Sequence, residues 1–325
     1  MLTFQFRPTS RMLSQIARLE RLAGQWDRLS ESHTLASPEL REQVLLSAIE
    51  ASSSLDTTVL DGGIHRKLAK QIELEVGDGE SSSIKLALAP YEALLEAPIE
   101  LSKEALSYAL DLLLNPELSV TSPKTLTPSR ASFRTGNTNF FSPSLEGAGE
   151  EIVFSAIPAF LIQQRLSELI EWVNLELRSR TYHPLVIIGT FHLSLLQTAP
   201  FQTANHRLCL LWDWKLLREN GYSLVDYGNF IPIFQQRSRS YFSALRQAEK
   251  SAGGNWSTLN IWLEFFFESL ALAAEELVSD SLKRTDADHL TTAQKQILEL
   301  VKNHGAATRE AIARQTGLNV STVKY

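Results

Sequence analysis

The sequence predicts an all-α protein that carries one small β-hairpin flap. Three observations predict it. Apolar residues recur at helical spacing along most of the chain. Two runs, 185–197 and 207–219, are apolar almost all round, as buried helices are. The one candidate hairpin, 131–141, lies inside a stretch rich in Ser, Thr, Pro and Gly that spans 119–150.

The elements follow in order. Over 10–30, Leu13, Ile16, Leu19 and Leu22 share one helical face. Ser37 followed by Pro38 opens a second helix, with Ser37 as N-cap and Pro38 at the first position. It runs through Leu45, Ala48 and Ile49 to about Leu55. The segment GDGESSS at 77–83 reads as a loop. Helical patterns then fill 84–96 and 102–114. The hairpin ASFRTGNTNFF is expected to turn at Gly136 and Asn137 and to stand exposed. The two buried helices are joined by a short loop, and Asn220-Gly221 stops the second. Helices are expected over 233–249 and 256–278, and the polar stretch 279–289 reads as a linker. In the tail, Thr291 and Gln294 form a capping box ahead of Ile297, Leu298 and Val301. Gly305 ends that helix. Thr308 caps a second, Gly317 ends it, and Leu318-Asn319 turns into a third near Val320, which is helix-turn-helix spacing.

Composition narrows the function classes. The 44% hydrophobic and 21% charged fractions are ordinary for a globular chain. The start MLTFQFRPTSRM has neither the apolar region nor the cleavage site of a secretory leader. No run approaches the roughly 18 apolar residues a membrane helix needs. A single cysteine, Cys209, excludes an internal disulfide framework and a cysteine-rich zinc site. A reducing cytoplasm is the expected location. The net charge is −6. Residues 291–325 carry five basic and two acidic side chains, +3, which leaves −9 for the rest. That argues against nucleic-acid binding by the body of the protein.

Between the buried helices the chain reads Ala199-Pro200-Phe201-Gln202-Thr203-Ala204-Asn205-His206-Arg207. This resembles the signature of the Fic family, HPFxDGNGR, with Pro200, Phe201, Asn205 and Arg207 at matching positions. The surroundings resemble it too: HPLVIIGTFHLSLL at 183–196, LLRENGY at 216–222, YFSALRQAE at 241–249 and NWSTLNIWLEFFFESL at 255–270. FRTGNTN at 133–139 stands where the family has its target-docking flap. A helix-turn-helix tail recurs in one Fic subgroup. The resemblance covers about residues 40 to 325. It implies a mainly helical Fic fold: an N-terminal helical region at 1–118 with an inhibitory-helix-like segment, a core at 119–280, a linker at 281–290 and a truncated helix-turn-helix, a winged-helix-like tail without its wing, at 291–325.

The resemblance implies transfer of AMP from ATP to a hydroxyl of a target protein, with magnesium. In that chemistry a histidine takes the proton of the attacking hydroxyl. An acidic residue holds the metal, and main-chain N–H groups at a helix N-terminus hold the phosphates. Here Ala199 stands at the base position, so no catalytic residue is expected. Thr203 replaces the acidic ligand, and no metal ligand is expected. Ala204 and His206 replace both glycines and bring a Cβ where positive φ is needed. Leu210 replaces a second arginine. The implied nucleotide-binding positions are Thr203, Ala204, Asn205, His206 and Arg207, and the implied flap residues are Phe133, Arg134 and Asn137. His192 reads as a satisfied core histidine and Phe201 as core packing.

IEASSSLDTT at 49–58 resembles the family's inhibitory helix through Ser52, Asp56 and Thr57. Its clamp partner would be Leu210, so the clamp is expected to be broken. Six residues from Val320 to Tyr325 span about 9 Å at roughly 1.5 Å each, so the tail is expected to be too short to bind DNA specifically. The resulting expectation is an inactive or severely impaired pseudoenzyme that meets a target protein through its flap; a homodimer is left open. The alternatives are a weak adenylyltransferase and a helix-turn-helix transcriptional regulator.

Overall fold

The computed structural model describes residues 7–31, 35–57, 80–115, 131–143, 150–248, 256–288, 297 and 308–316. By compactness the chain divides into two units, Met1–Glu275 and Glu276–Tyr325.

In the first unit, α1 (Ser10–Ser30) is capped by Thr9, whose hydroxyl accepts from the Met12 amide. It buries Met12, Gln15, Leu19, Leu22 and Trp26. That face is turned by one residue from the expected one: Leu13 is 55% exposed. The indole of Trp26 and its ring contact with Tyr227 fix the rotation. Helix α2 (Pro38–Thr57) opens as the sequence implies, with the Leu40 amide donating to the Ser37 hydroxyl at 3.2 Å. Helix α3 (Glu80–Glu96) starts earlier than the pattern suggests, because its first turn is the serine-rich end of the supposed loop. Helix α4 (Lys103–Leu114) is capped by Ser102.

A two-stranded antiparallel sheet follows, β1 (Asn139–Pro143) with β2 (Glu150–Ser155). The hairpin thus lies C-terminal to the expected one, and Gly136 and Asn137 precede its first strand. The register slips between Phe140 and Phe141. The extra residue there lets the adjacent Val153 and Phe154 both turn inward. That breaks the period-two signature by which a strand is read from sequence.

Helix α5 (Ile162–Ser179) leads to the central pair, α6 (Pro184–Thr198) and α7 (Asn205–Glu219). Both central helices are buried along almost their whole length, as their apolar composition requires. Helices α2, α3, α4 and α6 all pack on α7. Gly221, at φ 96°, supplies the left-handed turn beyond α7.

The helix expected over 233–249 is two helices, α8 (Phe230–Gln236) and α9 (Ser238–Ala248). The break is at Arg237. Its guanidinium reaches across to Glu268 at 2.8 Å and Ser269 at 2.9 Å, so a tertiary tie sets it. Helix α10 (Trp256–Asp288) continues through the supposed linker. That stretch has neither Pro nor Gly up to Asp288 to stop a helix. Helix α10 crosses α6 closely at Gly189, whose carbonyl accepts from the Trp262 indole at 2.6 Å.

In the second unit, α11 (Arg309–Thr316) is capped by Thr308, as the sequence implies. Ile312 and Ala313 are its buried residues. Thr291, Gln294, Leu298, Val301, Gly305 and residues 317–325 lie outside the described residues. Among the described residues no helix is long and apolar enough to cross a membrane.

A Cβ built on Gly189 would stand 2.7 Å from Leu263 Cδ2 and 3.0 Å from Phe266 Cδ1. Gly189→Ala should therefore cost about 1–3 kcal/mol through overpacking, read as a lower urea midpoint at unchanged slope.

Candidate functional site

The loop from Ala199 to Ala204 joins the C-terminus of α6 to the N-terminus of α7, and two side chains define its shape. The first is Arg134. Its guanidinium is almost wholly buried and donates only to main-chain carbonyls: Ala199 at 2.7 Å, Thr198 at 3.1 Å, Gly136 at 2.6 Å and Ile157 at 2.5 Å. Its own amide donates to the Pro200 carbonyl at 2.9 Å. A cation is thus seated on the last carbonyls of α6, where the helix dipole is negative. Burial pulls the guanidinium pKa down from its ordinary value. Phe133, beside it, bridges to Phe201, and the two rings pack in a tilted arrangement with centroids 5.4 Å apart. The Phe-Arg pair expected on an exposed flap therefore docks the chain onto the loop.

The second is Asn205. Its amide nitrogen donates to the Phe201 carbonyl at 2.8 Å, and its amide oxygen accepts from the Phe201 N–H at 3.0 Å. The side chain expected to meet a nucleotide spends both functional ends on its own loop. Phe201 is buried, as its reading as core packing implies.

Both ends of the loop are left-handed. Ala199 has φ 38° and Ala204 has φ 59°. The expected positive φ thus exists at Ala204, while His206 lies within α7 and has none. An alanine held in this region costs roughly 1–2 kcal/mol. The Ala199 methyl is buried and offers no proton acceptor. Thr203 and Arg207 are half-buried.

Behind the loop lies a buried polar chain that the sequence reading missed. Asp213 of α7 hydrogen-bonds His192 Nδ1 of α6. His192 Nε2 meets the Tyr241 hydroxyl of α9 at 2.9 Å. That hydroxyl meets His206 Nε2 at 2.6 Å. The His206 ring stacks on Tyr241 at 5.3 Å, and Phe140 of β1 covers it at 5.7 Å. All four residues are buried. Burial pushes both histidines down to about 3 and raises the Asp213 carboxyl well above its ordinary range. Burial thus favours the uncharged form of every member. In the arrangement that keeps all four uncharged, a protonated Asp213 donates to His192, His192 Nε2–H donates to Tyr241, and Tyr241 donates to His206. Among the described residues Asp213 Oδ1 has no hydrogen-bond partner, which a neutral acid tolerates far better than a carboxylate.

His192 is thus a satisfied core histidine. The available signal for its partner was Asp213 itself, an acid inside the apolar run LLWDWKLL, which burial obliges to find a donor or a proton. His192, Cys209 and Asp213 lie close enough to suggest a metal cluster. Both ring nitrogens are already engaged, and the Cys209 thiol donates to the His192 carbonyl at 3.4 Å. The set does not fit a cation.

Ser52 of the inhibitory-like segment is buried; its hydroxyl donates to the Ile49 carbonyl at 3.0 Å and meets the Tyr91 hydroxyl at 3.3 Å. It serves as an internal tie between α2 and α3. Leu210 is buried in α7. The Asp56 side chain lies outside the described residues. Elsewhere, Asp226 gathers the Trp214 indole at 2.9 Å and the Arg218 guanidinium at 3.0 Å. These contacts hold the far end of α7.

The fold so placed is that of the Fic proteins. Across 98% of this chain and 87% of the other, it is similar to a Fic family protein from Desulfovibrio desulfuricans G20, with a TM-score of 0.61 and 21% identity. Across 84% of this chain and 100% of the other, it is similar to a Fic domain containing signaling protein from Bacteroides thetaiotaomicron VPI-5482, with a TM-score of 0.54 and 17% identity. No protein-family model and no curated protein matches the sequence.

Two substitutions test the loop's architecture. Arg134→Met leaves four main-chain carbonyls without their buried donor, and Asn205→Ala removes two hydrogen bonds. Thermal unfolding should report a loss of about 1–3 kcal/mol for Asn205→Ala and at least that for Arg134→Met, the larger of the two because several carbonyls lose a charged donor at once.

Proposed function

We propose that this chain is a Fic-fold pseudoenzyme that acts through protein contact and does not transfer AMP efficiently. The observation that carries this is Ala199: a buried methyl stands where the resemblance implies the proton acceptor. Losing a general base costs about 10²–10⁴ in rate. His206 does not replace it, because its ring is enclosed by Tyr241 and Phe140.

The residues present do not fit a magnesium–ATP complex. Thr203 supplies no carboxylate for the metal. The Asn205 amide is committed to Phe201, and His206 puts an imidazole where the family motif has a glycine. Arg207 is the remaining cation of the motif. No catalytic step is therefore assigned to this loop.

The interaction half of the reading rests on the hairpin. Ile152 of β2 is 52% exposed, and Phe160, shortly after it, is 82% exposed. Large apolar side chains left in water beside a two-stranded sheet suit the docking of an extended segment of a partner protein. The lone buried cysteine is compatible with a cytoplasmic setting.

The test incubates the purified chain with magnesium and ATP labelled on the α-phosphate. The native protein should transfer no label to itself or to added lysate proteins, and titration with ATP–magnesium should give no saturable heat. Label transfer by the native chain matching that of Ala199→His would overturn the reading.

A further inference from the structure

The feature left unexplained is the chain of four buried polar groups ending beneath the hairpin. It spans three helices, and its last member, His206, belongs to the loop-to-helix junction itself. We propose that His206 is the trigger of an acid-sensitive latch: taking up a proton there breaks the chain and lifts the β1–β2 hairpin from the loop.

The geometry supplies the mechanism. In the neutral chain the Tyr241 hydroxyl donates its hydrogen to His206 Nε2 and accepts from His192 Nε2–H. A solvent proton bound at His206 Nε2 turns that nitrogen into a donor. The Tyr241 hydrogen then loses its acceptor, and two N–H groups face one oxygen. Among the described residues, no opposite charge faces the ring. The groups facing His206 are His192 from α6, the Tyr241 hydroxyl from α9, Phe140 from β1 and the Leu55 carbonyl from α2. Asp213 of α7, the nearest acid along this chain, is kept neutral by its own burial and is separated from His206 by His192 and Tyr241. Protonation therefore favours any state in which the ring reaches water.

The hairpin is the element that can yield. A two-stranded hairpin is marginal alone, and this one is held down by the packing of Phe140, Val153 and Phe154. Its ties to the rest include two polar ones. Glu151 and Ser142 meet Arg246 of α9 at 2.9 and 3.3 Å. Phe140 stacks on Phe154 and covers His206.

The closed ring resists protonation down to about pH 3, whereas a ring in water titrates near 6.5. The open state therefore gains as pH falls below 6.5, and the closed state is fully favoured above it. Between pH 7.5 and 5.5 the open population should rise about tenfold.

Hydrogen exchange followed by mass spectrometry on the full chain tests this, with intrinsic rates divided out. Protection of residues 139–143 and 150–155 should fall about tenfold from pH 7.5 to 5.5 and should respond to low urea less than that of α6 and α7, because local opening exposes less surface than global unfolding. His206→Gln and His206→Phe should each remove the pH step; the second keeps the aromatic stack if the first does not fold. The proposal is overturned by the absence of a step in the native chain, by its persistence in either folded variant, or by urea sensitivity equal to that of α6 and α7.

Discussion

The placement of the central loop depends on one interaction, the Arg134 guanidinium on the C-terminal carbonyls of α6. A helix that ends inside a protein leaves its last carbonyls without partners. Water cannot reach these, and an isolated neutral donor could satisfy only one or two. A guanidinium offers several donors in one plane and brings the charge that the helix end favours. Seating it there draws residues 133 and 134 against the loop and brings Phe133 onto Phe201. Asn205 then closes the loop from inside. The geometry that positions the motif is thus made by groups that do no chemistry in it.

The second constraint is burial of ionisable groups. Asp213, His192 and His206 lie within two helices that are otherwise apolar. Each is tolerated because burial favours its uncharged form and because it shares a hydrogen bond with the next member. Such a network specifies one packing of α6, α7 and α9, since any slip of one helix would orphan a polar atom. Lys215, at the other end of α7, is accommodated differently, by pairing: its ammonium donates to the Ala97 carbonyl at 2.7 Å and meets Glu219 at 2.7 Å.

Much of the helical fold was legible in local residues. Ser37 and Thr308 act as caps, and Gly221 follows α7 at a positive φ. The two apolar runs became the central pair because a helix apolar on all sides has to be enclosed. What was not legible had tertiary causes. The rotation of α1 that exposes Leu13 comes from Trp26. The break at Arg237 comes from Glu268 and Ser269, which lie about thirty residues away in sequence. The hairpin was shifted because a bulge disrupts alternation and because Phe133 and Arg134, read as flap, were needed by the core. At the site, the sequence showed which side chains the motif lacks. It did not show that Asn205 turns inward or that Tyr241 joins two histidines, since both facts depend on where α9 crosses.

The left-handed backbone at Ala204 has a mechanical meaning. Alanine is the best helix former, and it sits at the N-cap of α7 in a conformation it resists. The loop is therefore cocked: its shape is imposed by the flanking ties on Phe201 and Ala199, against the residue's own preference. Were those ties released, Ala204 would relax toward right-handed geometry and let α7 wind backward by a residue or more, consuming the loop as it grew.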